Sequence, residues 1–196
     1  MTLIKSISGI RGTIGGRPGD NLTPQDIVLF TSDYAQWAIQ ENQNAHKENL
    51  KIIVGRDARI SGPMVDQLIC ATLNSMGLNV VNIGLATTPT TEMAVIMENA
   101  DGGIIITASH NPKEYNALKL LNNKGEFLNA EEGRTILQLA ETAIFDYKDV
   151  MQIGTTGRLS GYEEKHIDAI LGLPLVKREN IREAGFKVAI DCVNSV

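Results

Sequence analysis

The stretch LKIIVG at residues 50–55 decides the fold class of this chain. It is short, rich in β-branched residues and closed by a glycine, and its apolar residues follow one another without polar alternation, which is typical of a strand buried on both faces. Two similar stretches follow at residues 79–83 and 104–107, and helical patterns that begin at Ser61 and Thr88 separate the three. The order β-α-β-α-β predicts an α/β fold with a mostly parallel sheet between helices.

Patterns on either side of this unit extend the prediction. Residues 23–42 begin with an N-cap threonine and a proline and continue with apolar residues at helical spacing, which predicts an amphipathic helix. Residues 117–121 and 126–128 flank a turn and predict a hairpin, so the mostly parallel sheet becomes mixed. A helix is predicted over residues 130–145.

The last part of the chain predicts the start of a second domain. Residues 153–158 are rich in glycine and threonine, so we expect a first domain over residues 1–152 and a linker with the start of a second, truncated α/β domain over residues 153–196. A helix over 162–171 and a strand over 186–191 would open that domain. Because a lone strand cannot satisfy its backbone, we expect the chain to be a piece of a longer protein.

Composition excludes several classes of protein. The chain has 196 residues, of which 43% are apolar, and its 18 Lys+Arg against 23 Asp+Glu give a net charge of −5 without a basic block. This balance argues against nucleic acid or a membrane as partner. The two cysteines form no CxxC motif or His/Cys cluster, and no stretch resembles a signal peptide or a membrane span, so we expect a cytoplasmic protein.

Polar residues follow the predicted strands at their carboxyl ends, where open α/β sheets bind ligands. TASHNP at residues 107–112 places Ser109 at this rim, because Pro112 keeps Asn111 out of the helical region and turns the chain. The same residues also fit the start of a short helix, with Asn111 as N-cap in a capping box. Ser109 and His110 as nucleophile and base of a hydrolase are disfavoured, since adjacent residues at a strand end point in opposite directions.

Cations accompany this serine. RDAR at residues 56–59 offers Arg56 and Arg59 for phosphate oxygens, with Asp57 able to hold one of the two guanidiniums. Arg11 stands between glycines that leave room for a ligand, and Lys119 adds a further positive charge. Taken singly, each arginine could also be a solvated surface charge.

Three motifs in order resemble those of one family. SGIRG at 8–12, VGRDAR at 54–59 and TASHNP at 107–112 resemble motifs of the α-D-phosphohexomutases, the superfamily of phosphoglucomutase, phosphomannomutase and phosphoglucosamine mutase. VAIDCVNS at 188–195 is similar to the opening strand of the family's second domain. The resemblance covers the whole chain and implies the first of the family's four domains plus the start of the second.

The resemblance implies a role for each matching residue. Ser109 would be the phosphoserine that donates a phosphoryl group to a hexose phosphate and regains one from a bisphosphorylated intermediate. Beside it, catalytic roles fall to His110, Lys119 and Arg11, phosphate binding to Arg11, Arg56 and Lys119, and supporting roles to Asp57 and Asn111. Mg²⁺ would be bound by the phosphate of Ser109 and by aspartates outside this chain, with hexose 1,6-bisphosphate as activator. The family's YNG after the serine loop is YNA here, at residues 115–117.

We therefore expect the N-terminal part of an enzyme that moves phosphate between C6 and C1 of a hexose phosphate, inactive as this piece alone. Phosphoglucomutase or phosphomannomutase activity is the first expectation. Phosphoglucosamine mutase is the alternative, since it would share every residue seen here. A non-catalytic module that binds sugar phosphates is the alternative from another class of protein.

Overall fold

The fold is built on one sheet with helices on both faces. The computed structural model describes residues 1–6, 9–42, 49–142, 144–193 and 195–196. Its strands are β1 (Ile4–Ser6), β2 (Gly9–Thr13), β3 (Lys51–Arg56), β4 (Asn79–Leu85), β5 (Gly102–Ile106), β6 (Tyr115–Leu121) and β7 (Thr156–Arg158). Its helices are α1 (Pro24–Asn42), α2 (Gly62–Ser75), α3 (Thr88–Met97), α4 (Ala130–Thr142), α5 (Tyr162–Leu171) and α6 (Arg178–Glu183).

The strands pair in the order β1-β2-β6-β5-β3-β4-β7. Strands β5, β3, β4 and β7 run parallel, whereas β6 is antiparallel to both β5 and β2, and β1 is antiparallel to β2. The predicted α/β fold with a mixed sheet between helices is therefore confirmed. Its antiparallel part is larger than the sequence indicates, because β1 and β2 carry no strand pattern of their own.

Two hydrophobic cores cover the two faces of the sheet. On one face, α1, α2 and α4 pack over a core that includes Phe30, Ile69 and Ile136. On the other face, α3 and the first residue of α5 pack over a smaller core that includes Val95 and Tyr162. Because α3 lies mainly over β3 and β5, the part of this face formed by β2 and the start of β6 stays open.

The segment predicted as a linker contributes to the same sheet. Strand β7 pairs with β4 in parallel, with Val80 opposite Thr156. The buried Tyr162 then donates a hydrogen bond from its hydroxyl to Glu98 Oε1 over 2.7 Å, which anchors the start of α5. A Gly/Thr-rich segment thus adds an edge strand beside β4, where the sheet offers unpaired backbone groups. The domain boundary between residues 152 and 153 stays a prediction.

One local prediction is wrong, one is confirmed over a few residues only, and one alternative is excluded. Residues 186–191 take no regular secondary structure, and Val188 and Ile190 are 75% and 81% exposed, because no neighbouring strand pairs with them. The predicted hairpin forms in a short version, with an antiparallel bridge between Leu121 and Phe127 and backbone hydrogen bonds from Leu128 to Leu120 and from Asn122 to Glu126. No helix forms at residues 111–114, which make a turn.

The end of α4 and the character of the helices complete the description of the fold. Helix α4 ends at Thr142 rather than at residue 145, and residue 143 lies outside the described residues. Within those ranges, no helix has both the length and the apolar character needed to cross a membrane.

Candidate functional site

The loop between β5 and β6 presents Ser109 to solvent. The chain leaves β5 at Ile106, and Ser109 has a φ of 55°, in the left-handed region that residues with a Cβ rarely adopt. The Ser109 backbone N–H donates to Thr107 Oγ1 over 3.1 Å, and Asn111 closes the loop by donating from Nδ2 to the Ala108 carbonyl over 2.7 Å. The predicted position of Ser109 at the rim of the sheet is thus confirmed.

One cavity of about 310 Å³, here called the Ser109 pocket, brings most of the predicted site residues together. Arg11 in β2 lies opposite Ala117 in β6, so Arg11 and Lys119 project from the same open face of the sheet. The residues that line the pocket are Ile4, Ser6, Gly9, Arg11, Thr107, Ala108, Ser109, His110, Asn111, Ala117 and Lys119. The pocket therefore combines an exposed hydroxyl with two cations, which suits a phosphoryl group.

Lys119 is oriented by its surroundings. Its Nζ lies 5.6 Å from the centre of the Phe127 ring, within the range of a cation–π contact. Burial raises the pKa of Glu92 on α3, and the positive charge of Lys119 opposes that rise. The Lys119 ammonium at the pocket wall therefore contacts the Phe127 ring and interacts electrostatically with the Glu92 carboxyl group.

His110 does not form a hydrolase triad with Ser109. Its Nδ1 lies 3.5 Å from Ser109 Oγ, at the limit of a hydrogen bond, and both side chains are exposed. Among the residues that the structure describes, no third group bonds to the imidazole and orients it as a triad requires. The geometry leaves His110 beside the serine as a group that can carry a proton.

Arg56 is not part of the Ser109 pocket. It lines a second cavity of about 310 Å³, the Arg56 pocket, together with Asp66, Asn82, Ile83, Gly84, Arg158, Leu159 and Ser160. Its Nη1 donates to the backbone carbonyl of Asp57 over 3.0 Å. The structure therefore does not bring Arg56 to Ser109, although the two residues follow neighbouring strands.

Asp57 and Arg59 lie behind the serine loop. Asp57 Oδ2 accepts hydrogen bonds from Arg59 Nε over 3.1 Å and from Thr107 Oγ1 over 2.6 Å. Asp57 therefore lies where it can support the loop, through hydrogen bonds to Arg59 and Thr107. Arg59, which the sequence suggests for phosphate oxygens, instead binds backbone carbonyls of the loop. Nothing in the sequence signals this role, because the carbonyls lie about fifty residues away.

The residues present do not form a magnesium site. In the described part of the chain, no three His, Cys, Asp or Glu side chains cluster so that they could hold a metal ion. The carboxylate of Asp57, behind the loop, is already engaged by Arg59 and Thr107. Carboxylate ligands for Mg²⁺ at Ser109 would have to come from outside these residues.

Comparisons with known proteins support the resemblance. The family model described as phosphoglucomutase/phosphomannomutase, alpha/beta/alpha domain I, matches residues 3–146. The phosphoglucosamine mutase of Acetivibrio thermocellus is 36% identical over 186 residues, which are 93% of this chain and 40% of the relative. The phosphoglucomutase/phosphomannomutase of Thermococcus kodakarensis is 36% identical over 130 residues, 65% of this chain and 28% of the relative. The chain thus spans less than half of these relatives.

A solved structure agrees with the fold. The crystal structure of a phosphoglucomutase/phosphomannomutase family protein from Burkholderia thailandensis superimposes with a TM-score of 0.65 at 21% identity, covering 86% of this chain and 36% of that protein. The family model covers both the Ser109 loop and the strands that carry Arg11 and Lys119. The chain therefore belongs to the phosphoglucomutase/phosphomannomutase family within the α-D-phosphohexomutase superfamily and corresponds to its N-terminal part.

Proposed function

We propose that this chain is the phosphoserine domain of a phosphohexomutase in which Ser109 carries the phosphoryl group. The observation that carries the proposal is the Ser109 pocket, where an exposed hydroxyl faces Arg11 and Lys119. Phosphoryl transfer spreads negative charge over the transferred oxygens, so positioned cations supply most of what the protein must provide.

Each residue of the pocket has a task in this proposal. The P–O bond to Ser109 breaks as a hydroxyl of the hexose phosphate forms a new P–O bond, and Arg11 and Lys119 neutralise the phosphoryl oxygens. His110, beside the serine oxygen, takes the proton of the attacking hydroxyl and returns one to Ser109. Asn111 and Asp57 hold the loop. Arg56 lies in the other pocket, so the proposal assigns it no contact with the phosphoryl group.

The complete protein supplies the rest of the site. We propose that Mg²⁺ binds the phosphate on Ser109 with carboxylates from outside this chain, and that a hexose 1,6-bisphosphate acts as activator. The 196-residue chain alone is proposed to be inactive, and a cytoplasmic location remains part of the proposal.

The substrate is a hexose phosphate, with transfer between C6 and C1. Glucose or mannose phosphates are one candidate, in line with the name of the Thermococcus relative. Glucosamine phosphate is the second candidate, because the Acetivibrio relative is a phosphoglucosamine mutase and covers 93% of this chain. Comparing kcat/KM for glucose 6-phosphate, mannose 6-phosphate and glucosamine 6-phosphate in the complete protein decides between them.

The proposal is tested by Ser109→Ala in the complete protein, with Ser160→Ala of the Arg56 pocket as matched control. We expect Ser109→Ala to lower mutase activity by more than about 10³-fold and to abolish the phosphate seen by mass spectrometry, because the phosphoryl acceptor is removed. Ser160→Ala should leave both unchanged. Activity retained by Ser109→Ala on all three sugar phosphates would refute the proposal. Calorimetric binding of hexose phosphate without turnover or phosphate on Ser109 would favour the binding module.

A further inference from the structure

The side chain of Arg59 is saturated with hydrogen bonds. A guanidinium has five N–H groups, and each of the five finds an acceptor here. Nε donates to Asp57, while the four remaining bonds go to carbonyl oxygens at 2.7–2.9 Å, those of Ser109, Asn111, Pro112 and Tyr115. The side chain is only 12% exposed. Arg59 therefore has no N–H left for a phosphate oxygen.

These bonds gather one short loop around one cation. Four carbonyl dipoles from residues 109–115 point to the same place, which is favourable only when a positive charge with several donors occupies it. A lysine could supply the charge but not the planar fork that reaches all four oxygens. The conformation of the loop thus depends on the shape of the guanidinium as well as on its charge.

Both sides of Ser109 are tied to the same pair of residues. Its carbonyl accepts from Arg59 Nη2 over 2.7 Å, and its N–H donates to Thr107 Oγ1, which in turn donates to Asp57. Asp57 Oδ1 also accepts from the Arg59 backbone N–H over 3.0 Å. The left-handed φ of Ser109 is therefore held from both ends, as strained residues require.

We propose that Arg59 is a positioning residue for phosphoryl transfer: paired with Asp57, it clamps the carbonyls of residues 109–115 and so aims Ser109 at the pocket that holds Arg11 and Lys119. This inference rests on the proposed function. Arg59 touches neither substrate nor phosphate, and it acts only through the loop.

The test compares Arg59→Lys and Arg59→Gln with Arg134→Lys in the complete protein. Arg134 is a matched control because it is exposed on α4 and, among the described residues, its side chain donates only to the Ala130 carbonyl of its own helix. We expect Arg59→Gln to lower kcat by about 10²-fold, because misplaced reacting groups lose about that much, while KM changes by less than about threefold. Arg59→Lys should lose about tenfold in kcat, since it keeps the charge but not the fork. Arg134→Lys should match the unmodified protein.

A second readout is independent of turnover. Amide hydrogen exchange of the peptide covering residues 107–116 should speed up by about tenfold in Arg59→Lys and stay unchanged in Arg134→Lys, because the loop loses its clamp. This measurement also serves if Arg59→Gln fails to fold. Added methylguanidinium should restore part of the activity of Arg59→Ala, which a general loss of stability would not allow.

The outcomes separate the inference from the proposed function. A rise in KM with unchanged kcat in the Arg59 variants would mean that Arg59 binds substrate directly. Unchanged kcat and unchanged amide hydrogen exchange would mean that Arg59 does not hold the loop. Either result overturns the inference while the mutase function stands. Faster exchange at residues 107–116 in a complete protein without mutase activity would confirm the clamp and refute the proposed function.

Discussion

The Ser109 pocket and the Arg56 pocket have the same volume, about 310 Å³, and each contains two basic side chains. They lie after neighbouring strands, since Ser109 follows β5 and Arg56 ends β3. They differ in what surrounds the cations. None of the described residues that line the Ser109 pocket is acidic, whereas the Arg56 pocket includes Asp66 beside Arg56 and Arg158.

Asp66 makes the Arg56 pocket a structural feature. Its side chain is buried, and Oδ1 accepts a hydrogen bond from Asn82 Nδ2 over 2.8 Å. The Asn82 side chain in turn accepts from the backbone N–H of Gly84 through Oδ1 over 2.9 Å. Arg56 and Arg158 share their pocket with a buried carboxylate, while Glu92, whose carboxyl group interacts with Lys119, does not line the Ser109 pocket. The comparison teaches that two pockets with the same number of lysine and arginine side chains can differ in whether a carboxylate lines them.

The largest difference between the two pockets should come from removing one cation in each. Arg11→Gln or Lys119→Gln in the complete protein should lower kcat/KM by about 10²–10³-fold, because each group stabilises charge on the transferred phosphoryl. Arg158→Gln should change it by less than about threefold, as for a surface charge away from the reaction. An equal loss in all three variants would break the distinction between the pockets.

Cysteine reactivity examines the surroundings of Asp66, whose Oδ1 accepts a hydrogen bond from Cys70 Sγ over 3.7 Å. Burial, with a smaller contribution from the negative charge of Asp66, raises the pKa of the Cys70 thiol to about 12, whereas Cys192 is exposed. Because the thiolate is the reactive form, iodoacetamide at pH 8 should modify Cys192 more than about 10²-fold faster than Cys70, as followed by peptide mass spectrometry. Asp66→Asn should accelerate Cys70, and equal rates for the two cysteines would contradict the buried structure.

Substitutions in the Arg56 pocket should affect stability more than substitutions in the Ser109 pocket, the reverse of the order expected for activity. Asp66→Ala should lower the free energy of unfolding by about 1–3 kcal/mol, because the buried Asn82 amide loses its acceptor. Ser109→Gly should change it by less than about 1 kcal/mol, since relief of the left-handed φ offsets the greater freedom of glycine in the unfolded chain. Urea unfolding followed by the fluorescence of the single tryptophan, Trp37, measures both. A larger loss for Ser109→Gly would reverse the comparison.

A separate effect should come from pH, acting through Asp33 of α1, which lines neither pocket. Its carboxylate oxygens are buried without a hydrogen-bond partner among the described residues, and burial raises its pKa from 3.8 to about 7, with Lys5 opposing. The folded chain therefore binds more protons than the unfolded chain between these values, so stability should fall as pH rises from about 4 to 7 and then level off.

Asp33→Asn isolates this contribution. We expect it to raise the melting temperature at pH 8 by about 2–4 °C and to flatten the decline between pH 4 and 7, with exposed Asp168→Asn as control. A decline that persists unchanged in Asp33→Asn would assign the pH dependence to other groups.

Local patterns predicted much of this molecule. Helix α5 was predictable at residues 162–171 and α1 within a residue, because the apolar spacing is encoded within each segment and α1 also has a capping threonine and a proline at its start. The central strands β3, β4 and β5 were predictable from their apolar runs. Strand β2 was not, since Gly9-Ile10-Arg11-Gly12-Thr13 has little strand propensity and is held by β1 and β6. The apolar run at 186–191 shows the converse, a strand pattern without a partner.

The sequence by itself determined the class of fold, the rim position of Ser109 and the family, because these depend on periodicity, on a proline after the loop and on ordered motifs. Only the tertiary structure decided which cations lie in the same pocket as the serine. Arg56 and Arg59 are three residues apart, yet one projects into a pocket with a buried carboxylate and the other into the carbonyls of a distant loop. That choice depends on strand pairing and loop closure between residues about fifty positions apart, and no local pattern encodes it.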